Sequence, residues 1–286
     1  MIYVVTTKRE ENAFMPDERF AHLERVFGEG IKRIFATEED RFGYIWPCDT
    51  ILVQTRNRVI IDHLIETGAA TTAESIETVH LTHDKAISKG ILAEFGVPTP
   101  KTIIEPSDTG LWFVKPMHGE DSNCVDEHSI CRTRDEIRAK VIEIETVLGD
   151  EAIIEEFVEG RDCTVGLLAN PKTGVPFTWP VMLEYESKSG ILTHELKFKE
   201  VDTSHPLMDE RLMKYARDAF KAVGAKRYMR IDFRQKPDGD YVLIDLNLYP
   251  CLGATDHLAG CALECAGIPY EDFIRNVVAT ATKDNK

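Results

Sequence analysis

Two alternating runs, residues 228–234 (YMRIDFR) and 241–248 (YVLIDLNL), restrict the fold of this chain more than any other stretch. Between them lies Lys236-Pro237-Asp238-Gly239-Asp240. A period of two is the mark of a strand with one buried face, and Asp-Gly between two such runs marks a hairpin turn. If the hairpin is symmetric about Asp238-Gly239, Asp232 faces Asp245 and Arg230 faces Asn247. Met229, Ile231 and Phe233 then share the opposite face with Ile244, Leu246 and Leu248, so each strand has one apolar and one polar side. A loop of odd length would shift this register by one. Two carboxylates directly opposite each other repel, at a cost of roughly a few tenths of a kcal/mol or more, so a cation is expected near them. Arg230 lies beside the pair rather than between its members. Asp232, Asp245 and Asn247 offer only oxygen donors, which suits a hard divalent ion such as magnesium. The alternative is a polar face solvated by water.

Upstream, residues 2–6, 31–35 and 51–53 read as strands, and 19–27 and 59–67 as helices. Strands alternating with helices predict a small parallel α/β unit over residues 1–80. A helix over 84–95 stops at Gly96. Val97-Pro98-Thr99-Pro100 must then be extended, because proline lacks an N–H and constrains its neighbour. A strand at 111–114, a charged helix at 134–148, and strands at 152–157 and 163–168 follow. A helix at 209–223 capped by Gly224 precedes the hairpin, and a last helix begins near Tyr270. No internal repeat is present.

Composition narrows the function classes. Of 286 residues, 43% are apolar and 29% charged, which fits one enzyme of two or three subdomains. A formal net charge of -15 with no offsetting Lys/Arg run repels nucleic acid. The opening MIYVVTTKRE is too short in apolar residues for a signal peptide, and no stretch nears the ~18 of a membrane span. Neither nucleic acid nor membrane is therefore an expected partner. The seven cysteines include no C-x-x-C pair. Cys261 and Cys265 sit four apart on an expected helix with nothing nearby to complete a zinc site. Reduced thiols in a cytoplasmic enzyme are expected.

Phosphate-binding candidates lie in the middle of the chain. Lys115 ends the apolar run Trp112-Phe113-Val114-Lys115-Pro116. Burying a lysine there is costly without an anion, and a triphosphate would supply one; the alternative is a lysine reaching solvent. His118-Gly119-Glu120-Asp121-Ser122-Asn123 could fold over phosphates, although it has one glycine and two acids. Lys85 and Lys89 follow Asp84 and read on their own as solvated helix charges. Glu155-Glu156-Phe157-Val158-Glu159-Gly160 runs from a strand into a turn. Its backbone edge could bond an adenine, with Asp162 taking ribose hydroxyls; alone it is an acidic turn.

In order, these pieces resemble the ATP-grasp superfamily. They are Asp84-Lys85, Gly96-Val97-Pro98-Thr99-Pro100, Val114-Lys115-Pro116, the segment Glu155-Glu156-Phe157-Val158-Glu159-Gly160-Arg161-Asp162, Arg230-Ile231-Asp232-Phe233, and Asp245-Leu246-Asn247-Leu248-Tyr249-Pro250. Each is weak alone; six in this order, across residues 81–257, are specific. The chain looks most like D-alanine–D-alanine ligases. Gln54-Thr55-Arg56-Asn57 leading to Thr82-His83-Asp84-Lys85 is also similar to ATP-grasp enzymes that add amino acids to peptides and proteins.

The resemblance implies an α/β (α+β) ATP-grasp fold. A Rossmann-like unit would occupy residues 1–80, a small central lid 81–154, and an antiparallel-sheet subdomain with the metal site 155–286. It implies an ATP-dependent ligase that joins a small carboxylate to a small amine, amino acids or their derivatives, through an acyl phosphate. Two magnesium ions would assist, with manganese as a substitute, and a homodimer is one allowed assembly. By resemblance, Lys85 and Lys115 contact ATP phosphates, with Ser122 in the loop over them. Glu155, Glu156, Phe157 and Val158 form the adenine hinge, and Asp162 holds the ribose. Asp232, Asp245 and Asn247 bind the metals, and Arg230 stabilises the oxyanion of the tetrahedral intermediate. A further lysine touches the transferred phosphate; Lys197, followed by an aromatic residue, is preferred to Lys188.

The chain also departs from that pattern. The glycine-rich phosphate loop is replaced by residues 118–123. The second metal acid is Asp245 in place of a glutamate. The serine that binds the substrate carboxylate falls at Asp256, where an acid would repel a carboxylate and could attract an amine. The early glycine-rich stretch and substrate glutamate are missing, so D-alanine is not the expected substrate. Specificity is expected near residues 9–14, Arg56 and 249–257. Two rival readings stand beside the ligase: another ATP-using enzyme on this fold, such as a carboxylase or kinase-like enzyme, and a non-catalytic nucleotide-binding protein.

Overall fold

The first apolar run forms β1 (Ile2–Thr6), flanked by β2 (Ile31–Phe35) and β3 (Thr50–Val53), with β4 (Ala70–Thr71) beyond. All pairs are parallel, in the order β2-β1-β3-β4. This is the parallel α/β unit that the alternation of elements predicts. The computed structural model describes residues 1–8, 15–108, 110–118, 123–170, 172–185, 190–191 and 203–283. Helices α1 (Asp17–Phe27) and α2 (Arg58–Glu66) connect the strands. Asn57 starts α2 by accepting the Ile60 N–H, satisfying one of the unpaired donors of a first turn. Then come α3 (Ile76–His83), a stretch to which the sequence pattern assigns no element, and α4 (Lys85–Glu94). Asp84 stands between them, ending α3 and capping α4 through the Ala86 and Ile87 N–H groups.

A small antiparallel sheet follows. Its central strand β5 (Trp112–Pro116) pairs with β6 (Ile130–Cys131) and β7 (Ala152–Glu156). Helix α5 (Arg134–Leu148) covers it, started by a Thr133–Glu136 capping box and ended by Gly149 in the left-handed region. Val114, Cys131, Ile137 and Ile144 form a core of their own there. Helix α4 instead buries Leu92 in the large core of the molecule. Among the described residues, α4 and this sheet belong to different apolar clusters, although the expected division at residue 81 groups them together. The expected boundary at 155 cuts β7 two residues before its end.

The large sheet is antiparallel, built from β8 (Arg161–Ala169), β9 (Pro176–Glu184), β10 (Thr203–Pro206), β11 (Tyr228–Gln235) and β12 (Tyr241–Asn247). Its order is β10-β9-β8-β11-β12. One apolar cluster joins Val165, Phe233 and Leu246 of this sheet to Val5, Ile51 and Val53 of the parallel sheet and to Phe220 of α6 (Glu210–Ala222). A second gathers Leu168, Trp179 and Val181 under α7 (His257–Ala266) and α8 (Tyr270–Ala279). The first and last units are thus packed on each other. Glu74, 1% exposed, helps join them. Its Oε1 accepts the Lys226 and Arg227 N–H groups at 2.9 and 2.7 Å, and its own N–H donates to the Tyr249 hydroxyl.

Candidate active site

The hairpin that dominated the sequence is present, with a correction. Gln235 pairs with Tyr241, so five residues connect β11 and β12, an odd number. The register near the loop is therefore one residue off the symmetric expectation, and Leu243, not Ile244, stands opposite Phe233. A bulge at Ile244 restores the count. Beyond it Asp232 faces Asp245 and Arg230 faces Asn247, as symmetry predicts. A bulge leaves its extra residue outside the ladder. Here the Ile244 carbonyl accepts Lys115 Nζ at 2.9 Å, so the last charged residue of β5 reaches across to the hairpin.

Asp232 is held on two sides. Arg230 donates to both of its oxygens at 2.9 Å, a bidentate pair, and Thr164 on the neighbouring strand β8 donates to Oδ1 at 2.6 Å. Burial opposes the Arg230 charge, but Asp232, its hydrogen bonds and Asp245 outweigh burial and hold the guanidinium above its ordinary range. Arg230 is thus a fixed, permanent cation beside the two facing carboxylates. Asn247 is nearly buried, and its Oδ1 lies 3.4 Å from Arg56 Nη2. Sequence reasoning missed Thr164, although the alternation along β8 sets it opposite Asp232.

Could these residues hold a metal? Among the described residues no three His, Cys, Asp or Glu side chains converge as a metal-binding group. The hairpin offers two carboxylates and one amide, all oxygen donors on one face. Magnesium binds through one or two carboxylates, keeps several waters and shares substrate phosphates. The set fits an ion shared with a nucleotide and is too small for an all-protein cage.

The nucleotide candidates cluster around Glu155, whose side chain is 4% exposed. Its two oxygens are divided between Lys115, at 3.0 Å, and Lys89. Burial opposes the Glu155 charge, yet the two lysines overcome it and hold the carboxyl below its ordinary range. Lys89 is therefore not a solvated helix charge; its side chain is only 14% exposed. Its position four residues after Lys85, on one helix face, was the available signal. Lys85 Nζ makes a long contact, 3.4 Å, to the Met117 carbonyl just past β5. The Glu156 and Phe157 N–H groups donate to the Lys101 and Leu111 carbonyls at 2.9 Å each, and the Arg234 guanidinium lies 5.3 Å over the Phe157 ring. Asp162 is 7% exposed and meets Arg234 Nε at 3.3 Å and the Tyr185 hydroxyl, two partners that sequence reasoning did not foresee. Val158 follows on directly from these. Ser122, Lys188 and Lys197 lie outside the described residues.

At the far end of the hairpin, Asp256 does not stand alone as an acid awaiting an amine. Its Oδ1 takes Arg19 Nη2 at 2.6 Å and its Oδ2 the Gly253 N–H at 2.5 Å. Nothing in the sequence ties Arg19 to a residue 237 positions away.

Comparison with known proteins identifies relatives of this chain. Residues 111–279 match the family model described as the D-ala D-ala ligase C-terminus. An uncharacterised protein, y4sG, of Sinorhizobium fredii is 29% identical over 220 residues, 70% of this chain and 63% of its own length. A D-alanine–D-alanine ligase of Marinobacter nauticus is 27% identical over 228 residues, 74% of this chain and 67% of its own. The chain spans about two thirds of the length of these curated relatives. Among solved structures, the VanG D-Ala:D-Ser ligase of Enterococcus faecalis superposes with a TM-score of 0.74 at 14% identity, covering 98% of each chain. A Bacillus anthracis D-alanine–D-alanine ligase complexed with ATP gives 0.72 at 20% identity, covering 98% of this chain and 96% of its own. At these identities the solved structures establish the shared fold.

Proposed function

We propose, from the premise that this chain belongs to the D-alanine–D-alanine ligase family by its C-terminal domain, that it is an ATP-dependent carboxylate–amine ligase. In that reaction the terminal phosphoryl of ATP passes to a carboxylate, which by itself is a poor electrophile. The amine then attacks the acyl phosphate, and amide, ADP and phosphate leave. Magnesium, or manganese in its place, would neutralise the phosphate charge, held by Asp232, Asp245 and Asn247 as one or two ions.

The chain's own residues have the following roles in this reading. Arg230, locked by its bidentate bond to Asp232, faces the oxygen on which charge develops; a preorganised donor of this kind is worth ~3 kcal/mol. Lys115 and Lys85 meet the phosphates, together with Ser122 and Lys197. Residues 155–158 flank the adenine and Asp162 the ribose. Nucleotide would have to share Lys115 with Glu155 and the Ile244 carbonyl. The unit around β5–β7 is proposed as the lid that keeps water from the acyl phosphate. The seven free cysteines suit a reducing compartment, and the cytoplasm is proposed. No described helix is long and apolar enough to cross a membrane.

The observation that carries this reading is the 2.9 Å bond from Lys115 to the carbonyl of Ile244, which ties the small sheet's lysine to the hairpin backbone next to Asp245. The test is a screen of acid and amine pairs for ATP-dependent phosphate release, with products identified by mass spectrometry. Release that needs both an acid and an amine is expected. Release with bicarbonate, or without amine, would move the chain to a carboxylase or kinase-like reaction. Nucleotide binding without turnover across the whole screen would remove the ligase reading.

A further inference from the structure

Helix α4 carries Lys85 and Lys89 four residues apart, a spacing that puts both on one helix face. Both reach the small sheet. Lys85 Nζ lies 3.4 Å from the Met117 carbonyl just past β5, and Lys89 donates to Oε1 of Glu155 on β7. The other Glu155 oxygen, Oε2, meets Lys115 of β5 at 3.0 Å. In the β5–β7 ladder Phe113 pairs with Glu155 and Lys115 with Ile153, so Lys115 and Glu155 are diagonal neighbours on one face of the sheet. Lys115 also donates to the Ile244 carbonyl of the hairpin at 2.9 Å.

One carboxylate is thus divided between two ammoniums, one oxygen to each, and all three side chains are largely buried. Charges at such depth are screened far less than surface charges, so which cation neutralises Glu155 matters. Burial is the main influence lowering the Lys89 pKa; Glu155 opposes it by charge and hydrogen bond, and Lys115 adds to the lowering. The three groups therefore act on one another as one cluster. With Lys89 in place, Glu155 keeps a partner while Lys115 shares its charge with another anion. Without it, Lys115 is the carboxylate's one remaining ion-pair partner among the described residues, and Glu155 cancels its charge in full. Lys115 has a donor to spare, since an ammonium carries three and Glu155 and Ile244 take two.

We propose that Lys89 is a positioning residue for nucleotide: by holding Oε1 of Glu155 it leaves the charge of Lys115 available to phosphate. Lys89 acts through Glu155 and touches no nucleotide atom itself. This role rests on the proposed contact between Lys115 and the phosphates, and it belongs to a residue that none of the sequence motifs assigns. Loss of the Lys89 charge then weakens the hold on phosphate and spares the hold on the nucleoside.

The test is calorimetric titration of the full chain with two probes, adenosine and the β,γ-imido analogue of ATP with magnesium. Lys89→Met should weaken the analogue about ten-fold or more and leave adenosine within about three-fold, because adenosine carries no phosphate for Lys115. Lys89→Arg keeps the charge and should bind both probes as the unaltered chain does. Lys89→Gln keeps a donor for Glu155 but no charge, and it repeats the measurement if the methionine variant does not fold. Unchanged affinity for the analogue, an equal loss for analogue and adenosine, an arginine variant as weak as the methionine one, or no binding of the analogue to the unaltered chain would overturn the proposal. The ligase reading fails separately, on the phosphate-release screen, since no acid or amine enters these titrations.

Discussion

Replacing Glu74 with glutamine should make the stability of this protein less sensitive to alkaline pH. Glu74 is almost wholly buried where the parallel unit meets the large sheet. Burial is the largest influence on its carboxyl, and the Lys226 and Arg227 N–H bonds and charges offset it only in part, so the pKa rises from 4.5 to about 7. The sign follows from proton counting. Between these two values the folded carboxyl keeps its proton while the unfolded one has lost it. The contribution to stability is therefore full below the unfolded value and is lost as pH rises through the folded value. At ~1.4 kcal/mol per pH unit, the interval from 4.5 to about 7 corresponds to at most about 3 kcal/mol. Glutamine retains an Oε1 that can accept both N–H groups at 2.9 and 2.7 Å, and it does not ionise. Urea unfolding at constant ionic strength, from roughly pH 5 to pH 8, measures the difference. The unaltered chain should lose up to about 3 kcal/mol more than the variant over that range. Parallel stability curves for the two proteins would refute the reasoning.

Asp232→Asn removes one of the two facing carboxylates and weakens the hold on Arg230, so magnesium-dependent phosphate release should fall by at least about 100-fold. Full activity in a steady-state assay would rule out the metal assignment. Lys89→Met leaves the buried Glu155 with Lys115 alone, and should cost about 2 kcal/mol in chemical denaturation; a loss below about half a kcal/mol would return Lys89 to the solvated surface. Gly160 has φ +153, and an added Cβ would lie 2.1 Å from the Gln235 carbonyl oxygen. Gly160→Ala should therefore destabilise the chain by about 3 kcal/mol, read from the thermal midpoint, and a neutral result would show that this turn can relax.

The polar face of the hairpin could be read from sequence because a period of two assigns every side chain to one of two faces. The odd loop raised the question of a shift, but the position of the compensating bulge depends on packing and on Lys115, more than 120 residues away. Strand β9 went unread because Pro176 and Pro180 interrupt its pattern. In the fold Pro180 pairs with Val165, and its carbonyl accepts the Leu207 N–H at 2.9 Å, so the strand survives the missing donor. The partners of Asp162, Glu155 and Asp256 were equally hidden. Arg234, Lys89 and Arg19 lie 72, 66 and 237 residues from them, and spacing carries no information about contacts made by sheet pairing and domain packing. What sequence order did convey was the succession of short motifs, since a fold built in sequence leaves its chemistry-bearing positions in a fixed order.

The bulge at Ile244 makes the hairpin tip a matter of parity. One residue added to or removed from the connection between Gln235 and Tyr241 would let the two strands pair without a bulge, with Asp232 still opposite Asp245. The carbonyl that now receives Lys115 would then turn back into the ladder. A change at the solvent end of the hairpin would thus uncouple the small sheet from the acidic edge while leaving every charged side chain in place. Length variation at this tip should therefore be tolerated in steps of two and resisted in steps of one.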